Sequence, residues 1–480
     1  MSELSSFARF VLEHEQDDIY ALRLAAGKYK EMDVKRACLT IECRRKLKNK
    51  VPSFYACPEF RYVASLPAEQ CSGEKTAAYK ARIAAEIIAG DSPDAGEAVA
   101  ASSALTPRTG LRRIADLTGG MGVDAMAFSQ VASEVLYNEM NGELAEATAY
   151  NFGLLGITNV RFSSRELKPA SAAAHTDAAE SGPRPADAGS LDAILGDFEP
   201  DLIFLDPARR SDSGSKVFRL EDCTPNILLL KDELLARCRH LLLKLSPMAD
   251  ISAVCKALGP RVKRVILVAS EDECKEMLVE MDREYDGPYQ IVAHEEDGEF
   301  SFFPEEEKAL APILLPSLDF LQPENGLPSE YGSSSQCSLL FEPGKALMKS
   351  GAYKLLAQRY GLYQLAPDTH IYAVPDGLEP PRHHSSRLSR GLGKCYHIVY
   401  REPMTSSSLE SFKKKWPPMD VTARNIPLTS EALKQRLWGK APKGNKSKPG
   451  ERHHLFALSC LDQQGHQENT LLVTTPLRDC

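Results

Sequence analysis

Three short segments, each at the end of an apolar run, hold the residues whose types and spacing could do chemistry. The first is residues 113–124, RIADLTGGMGVD. An apolar run ends in Asp116 and enters a turn containing Thr118, Gly119, Gly120 and Gly122, with Asp124 opening the next segment. Glycines let backbone pass close beneath a ligand where a β-carbon would collide. A carboxylate at Asp116 favours a ligand with a cationic end, whereas a pyrophosphate would favour a helix N-terminus without a nearby acid. The second segment, residues 136–141, LYNEMN, places Glu139 and Met140 at the end of the next run, with Glu139 23 residues after Asp116. An acid there can accept hydrogen bonds from both ribose hydroxyls of an adenosine. The third, residues 201–210, DLIFLDPARR, is a buried-strand pattern ending in Asp206-Pro207. That pair would place a rigid polar lip beside the ligand, at the switch point where open α/β sheets bind. Arg209 and Arg210 follow and could hold a phosphate of a second substrate or form surface salt bridges.

The glycine turn also satisfies the dinucleotide fingerprint through Gly120, Gly122 and Ala125, so an NAD-dependent oxidoreductase is a rival reading. Asp-Pro behind Asp116 and Glu139 argues against it.

These segments need a sheet to hold them. The sequence predicts strands over 114–117, 135–137, 160–162, 202–205, 241–245 and 262–268, with 289–292 and 300–303 last, and a helix over 142–155. That alternation is the pattern of a doubly wound α/β sheet. Residues 1–94 read as mainly helical. Their basic stretch Arg44–Lys50, beside Phe54 and Tyr55, reads either as an RNA contact or as a solvated helix end. Residues 90–108 and 168–190, rich in Ala, Ser, Gly and Pro, read as a linker and an insertion. Expected domains are 1–94, 95–305, 306–390 and 391–480.

The chain has 480 residues, 43% hydrophobic and 26% charged, and a net charge of −8. No apolar run is long enough for a membrane span and no leader is evident, so a cytoplasmic protein is expected. The 12 cysteines form no C-x-x-C pair, so no metal site is expected. Charge is uneven: Arg382–Arg452 carries 16 Lys/Arg against 5 Asp/Glu, on an otherwise acidic chain. A basic module on an acidic body suggests a local polyanion contact or a solvated basic surface.

Taken together, DLTGGMGVD and FLDPARR resemble bacterial class I methyltransferases that use S-adenosylmethionine (SAM) and carry a C-terminal THUMP-like domain. The resemblance extends upstream to residues 69–81, EQCSGEKTAAYKA. It continues downstream through Glu273–Glu276, Phe341–Pro343 with Met348–Gly351, and Arg424–Leu428 with Leu433 and Lys434. It implies a Rossmann-like SAM domain, a helical N-terminal domain, and small α+β modules, one ferredoxin-like and one THUMP-like. It implies SAM as cofactor, held by Asp116, Thr118, Gly119, Gly120, Gly122, Asp124, Glu139 and Met140, with Gln70 and Ser72 near its methionine end. Asp206 and Pro207 would address the acceptor. An RNA substrate is implied, with Lys413, Lys414, Lys415, Arg424, Lys434 and Arg436 as phosphate contacts beside Arg209 and Arg210.

The chain departs from the pattern in three places. Ala208 and Arg209 replace the residues that stack a base in amine-directed enzymes. No cysteine stands beside Asp206-Pro207 or in Lys244–Met248, at the end of the fifth strand, for C5 chemistry. The acid usually found after strand three is missing, with Glu166 or Ser164 as substitutes. A protein or small-molecule acceptor, or a non-catalytic RNA-binding role, are the alternatives.

Overall fold

The computed structural model describes residues 4–90, 112–169, 189–209, 220–296, 298–323, 337–378, 391–439 and 453–477. Most of the expected linker and insertion, and Arg210, lie outside the described residues. The chain divides into two units, Met1–Arg264 with Met277–Pro288, and Val265–Glu276 with Tyr289–Cys480.

The first unit is built on a mainly parallel sheet. It holds β1 (Arg113–Asp116), β2 (Glu134–Asn138), β3 (Val160–Ser163), β4 (Leu202–Leu205) and β5 (His240–Leu245), while β6 (Val262–Ser270) and β7 (Glu273–Asp282) fall partly in it and partly in the second unit. The order is β3-β2-β1-β4-β5-β7-β6, and β7 runs antiparallel to β5. A dinucleotide-binding sheet would continue with the sixth strand directly beside the fifth. Here an antiparallel strand stands between them. The sequence reading missed β7. Its alternating charges, in Glu273, Lys275, Glu276 and Glu280, hide a strand whose inner half is buried. Strand β4 is buried at every position, as expected for a central strand covered on both faces.

Helices Ser6–Glu13, Ile19–Leu24, Val34–Leu47, Pro52–Tyr55, Ser65–Gln70 and Glu74–Gly90 precede the sheet in the same unit. Side chains of Ser5, Asp18 and Asp33 cap three of them, each accepting a backbone N–H in the first turn. Part of the basic stretch is committed to internal contacts, which neither of its two readings anticipated. Arg44 is buried, pairs with Glu15 at 3.2 Å, and lies 4.5 Å from the centre of the Tyr55 ring. Arg45 donates to the carbonyls of Glu15 and Asp17, and Lys46 pairs with Glu69 at 3.1 Å. Helix Glu74–Gly90 packs against helix Val123–Ser129 and against β5.

In the second unit, Gln290–Glu295 and Gly298–Phe302 form an antiparallel pair. A seven-stranded sheet follows, in the order 363–364, 372–374, 339–343, 393–403, 467–476, 454–461 and 420–424. Strand Leu339–Pro343 pairs antiparallel with Gly393–Pro403, so the expected division at 390/391 falls inside one sheet. The expected edge at 305 likewise falls inside this unit, because residues 265–276 and 289–305 belong to it. One face of the sheet packs Leu340, Ile398, Phe456 and Leu472 into a core. The other carries helices Ser406–Lys415 and Ser430–Trp438 over Leu455, Leu471 and Val473.

Among the described residues no helix is long and apolar enough to cross a membrane. No group of three or more His, Cys, Asp and Glu there could hold a metal ion. The described cysteines are free thiols.

Candidate active site

The carboxyl ends of β1, β2 and β4 bring the sequence-marked acids together. Tyr137 explains the local shape of the glycine turn. Its ring lies where a β-carbon on Gly119 would sit, with a closest approach of 2.1 Å, and its hydroxyl donates to the Gly120 carbonyl at 2.5 Å. Gly122 has φ +81° and would push a side chain into Phe152 and Thr148. Gly120, at φ +53°, has open space where its side chain would be. The turn therefore packs tightly below and stays bare above, the surface a ligand needs.

Asp116 is 1% exposed. Its Oδ1 accepts the Thr118 amide at 3.1 Å, while its Oδ2 is buried with no hydrogen-bond partner among the described residues. Burial, with Asp124, Asp206 and Glu139 nearby, holds this carboxyl well above the ordinary carboxylate range. Glu139 accepts the Gly120 amide at 2.9 Å through one oxygen and the Asn141 amide at 2.8 Å through the other. It thereby ties the turn to the start of helix Gly142–Leu154.

Asp206 follows β4, and its amide donates to the Thr118 hydroxyl at 2.6 Å. This bond explains why a threonine stands ahead of the glycines. The Asp206 side chain stays 35% exposed and pairs through Oδ2 with Lys244 Nζ at 2.5 Å. Its position in the crevice pushes its pKa up, and Lys244 opposes that shift. Pro207 is buried behind it. Ala208–Arg209 then forms a two-residue ribbon with Cys223–Thr224.

Lys80 and Lys244 belong to this site and were not anticipated. Lys80 is fully buried, with Nζ 2.9 Å from Ser72 Oγ and 3.0 Å from Asp124 Oδ1. Ser72 Oγ also donates to Asp124 Oδ2 at 2.7 Å. Both lysines had a sequence signal. Lys80 lies on the buried stripe of its helix, beside Thr76, Ile83, Ala84 and Ile87. Lys244 interrupts the apolar run HLLLKL of β5. Asn138 was missed too; its side chain bridges the Leu117 and Arg165 carbonyls, closing the ends of β1 and β3.

Some expected contacts are placed differently. Gln70 is exposed at the end of its helix, and Met140 is 59% exposed. Ser72 and Asp124 are occupied with each other and with Lys80, so they brace the turn. Glu166 pairs with Lys168, and Ser164 donates to the Glu139 carbonyl.

Lys413, Lys414 and Lys415 are exposed on helix Ser406–Lys415 in the second unit. Lys413 pairs with Glu410, and Lys415 lies 3.6 Å from the centre of the Tyr400 ring. Lys434 pairs with Asp420 at 3.3 Å and Arg424 with Glu342 at 3.6 Å, while Arg436 is exposed. Half of the basic residues in Arg382–Arg452 fall outside the described residues.

A model of a ferredoxin-like domain matches residues 339–376. Over 98% of both chains, this protein is similar to a crystal structure from Porphyromonas gingivalis W83 provisionally named a methyltransferase, with 25% identity and a TM-score of 0.68. An rRNA methylase from Streptococcus thermophilus aligns with 42% of this chain and 94% of its own, at 12% identity and a TM-score of 0.23. The human methyltransferase 10 domain containing protein aligns with 51% of this chain and 96% of its own, at 11% identity and a TM-score of 0.32. No curated protein matches the chain. The whole-length likeness shows an α/β fold shared with the Porphyromonas gingivalis structure, with a ferredoxin-like part toward the C-terminus.

Proposed function

We propose that this protein is a SAM-dependent methyltransferase of class I whose acceptor is a structured RNA. The observation that carries the cofactor reading is the buried Oδ2 of Asp116, left without a partner under a glycine turn that is open above Gly120. An unsatisfied buried carboxyl oxygen calls for a donor or cation from a ligand. SAM supplies a methyl group on a cationic sulfur and also bears an ammonium.

Asp116, Gly119, Gly120 and Glu139 would hold it. Glu139 keeps the Gly120 and Asn141 amides in line and has lone pairs left for ribose hydroxyls. Asp206, fixed through its backbone by Thr118 and through one oxygen by Lys244, keeps Oδ1 for the acceptor. There it accepts the proton of an N–H or O–H nucleophile and fixes its direction. The antiparallel β7 between β5 and β6 weighs against the NAD alternative.

The RNA reading is supported by the resemblance of the C-terminal part to THUMP-like domains, the net basic segment Arg382–Arg452, and the exposed Lys413–Lys415 and Arg436. These cations would contact phosphates and position the RNA without reading its sequence. We place the protein in the cytoplasm. The test is methyl transfer from labelled SAM to total RNA taken from cells lacking the gene. Label is expected in RNA with the wild type and not with Asp206→Ala. Label entering protein or small molecules would replace the acceptor, and no transfer to any fraction would favour a non-catalytic role.

A further inference from the structure

Four carboxylates converge on the crevice, but their counter-ions are unevenly shared. Lys80 is committed to Asp124 and Lys244 to Asp206. Glu139 is neutralised in part by two amides. Among the described residues Asp116 has only the Thr118 amide, on one oxygen. Around it stand Asp124 from the helix after the turn, Asp206 from the end of β4 and Glu139 from the end of β2, and only 1% of Asp116 is exposed. A bare carboxylate in that setting is costly, and a protonated one is not. A cation brought next to it reverses the preference.

We propose that donor binding expels a proton from the site, because Asp116 is a neutral acid in the free protein and a carboxylate beneath the bound SAM cation. The balance is simple. Free protein with Asp116–COOH plus SAM gives the complex with Asp116–COO⁻, and one proton passes to solvent. No bond other than O–H breaks. Two consequences follow: SAM affinity rises with pH, and the acid acts as a charge filter, since an uncharged analogue gains nothing by displacing the proton.

The inference rests on the pocket being a SAM site, and the test separates the two. Titrate SAM into the full-length protein by calorimetry at one pH in two buffers of different ionisation enthalpy, then repeat across pH. The expected result is a difference between buffers equal to about one proton released per SAM, with affinity rising by up to about tenfold per pH unit while free Asp116 holds its proton. Asp116→Asn, which mimics the neutral acid, is expected to abolish most of the proton release and flatten the pH dependence. Equal heats in both buffers for the wild type would overturn the proposal while leaving the SAM reading in place. So would undiminished release from a folded Asp116→Asn protein. No binding of SAM at any pH would instead remove the reading beneath it.

Discussion

Two lysine–aspartate pairs flank the same crevice and differ in almost everything except chemistry. Lys80–Asp124 lies inside, with the lysine fully buried and the aspartate side chain 11% exposed, and Ser72 completes a closed triangle. Lys244–Asp206 stands at the mouth, where the aspartate is 35% exposed and keeps one oxygen free. The inner pair bolts the helical segment that precedes the sheet onto the helix that follows the glycine turn. The outer pair orients a group that must still meet a substrate. The buried pair serves the fold, and the partly exposed one can serve a substrate.

Breaking the inner pair has the largest expected effect. Lys80→Met leaves Asp124 buried without its cation, which costs about 3–5 kcal/mol. Denaturant unfolding of the purified variant checks this, and a loss under about 1 kcal/mol would mean that the triangle does not brace the fold. At the outer pair, Asp206→Asn should cost less stability than Lys80→Met, because the amide oxygen can still accept from Lys244, and should lower turnover by about 10²–10⁴-fold with SAM affinity retained. Parallel calorimetry and methyl-transfer assays read this contrast.

Lys244→Met sharpens the comparison through pH. Lys244 favours the charged form of Asp206, so its removal pushes the carboxyl pKa further up. Activity that needs the carboxylate should then fall away at a higher pH, with the acid limb of the rate profile moved upward by about one pH unit or more. An unmoved limb would deny the coupling.

Asp116 gives a subtler test. Its folded-state pKa lies above the unfolded one, so the native state holds the extra proton. Stability therefore falls as pH rises from the unfolded pKa toward the folded one. Asp116→Asn should remove that slope and be the more stable protein at neutral pH in the absence of SAM. The smallest effect is expected far from both pairs: Lys414→Ala should weaken RNA binding modestly and reduce the slope of log affinity against log salt by about 0.9.

The acids were legible because each closes an apolar strand, and that pattern survives in a bare string of residues. The glycine turn was legible for the same reason. The lysines were not recognised, although each interrupts an apolar stripe, because a cation in such a stripe reads as a solvated face until its partner is known. The partner of Lys80 is 44 residues away and that of Lys244 is 38 away. The reverse error lies at Arg44–Lys50, where a basic run reads as surface but Arg44 is buried against Glu15 and Tyr55. Strand β7 was lost for want of an apolar pattern, and the joined C-terminal sheet because strand pairing between 339–343 and 393–403 leaves no local trace.

The most direct measurement is a pair of calorimetric titrations of the full-length wild type, one with SAM and one with NAD. One SAM is expected to bind per chain, with no heat from NAD. Saturable NAD binding, with SAM inert across the accessible pH range, would contradict it.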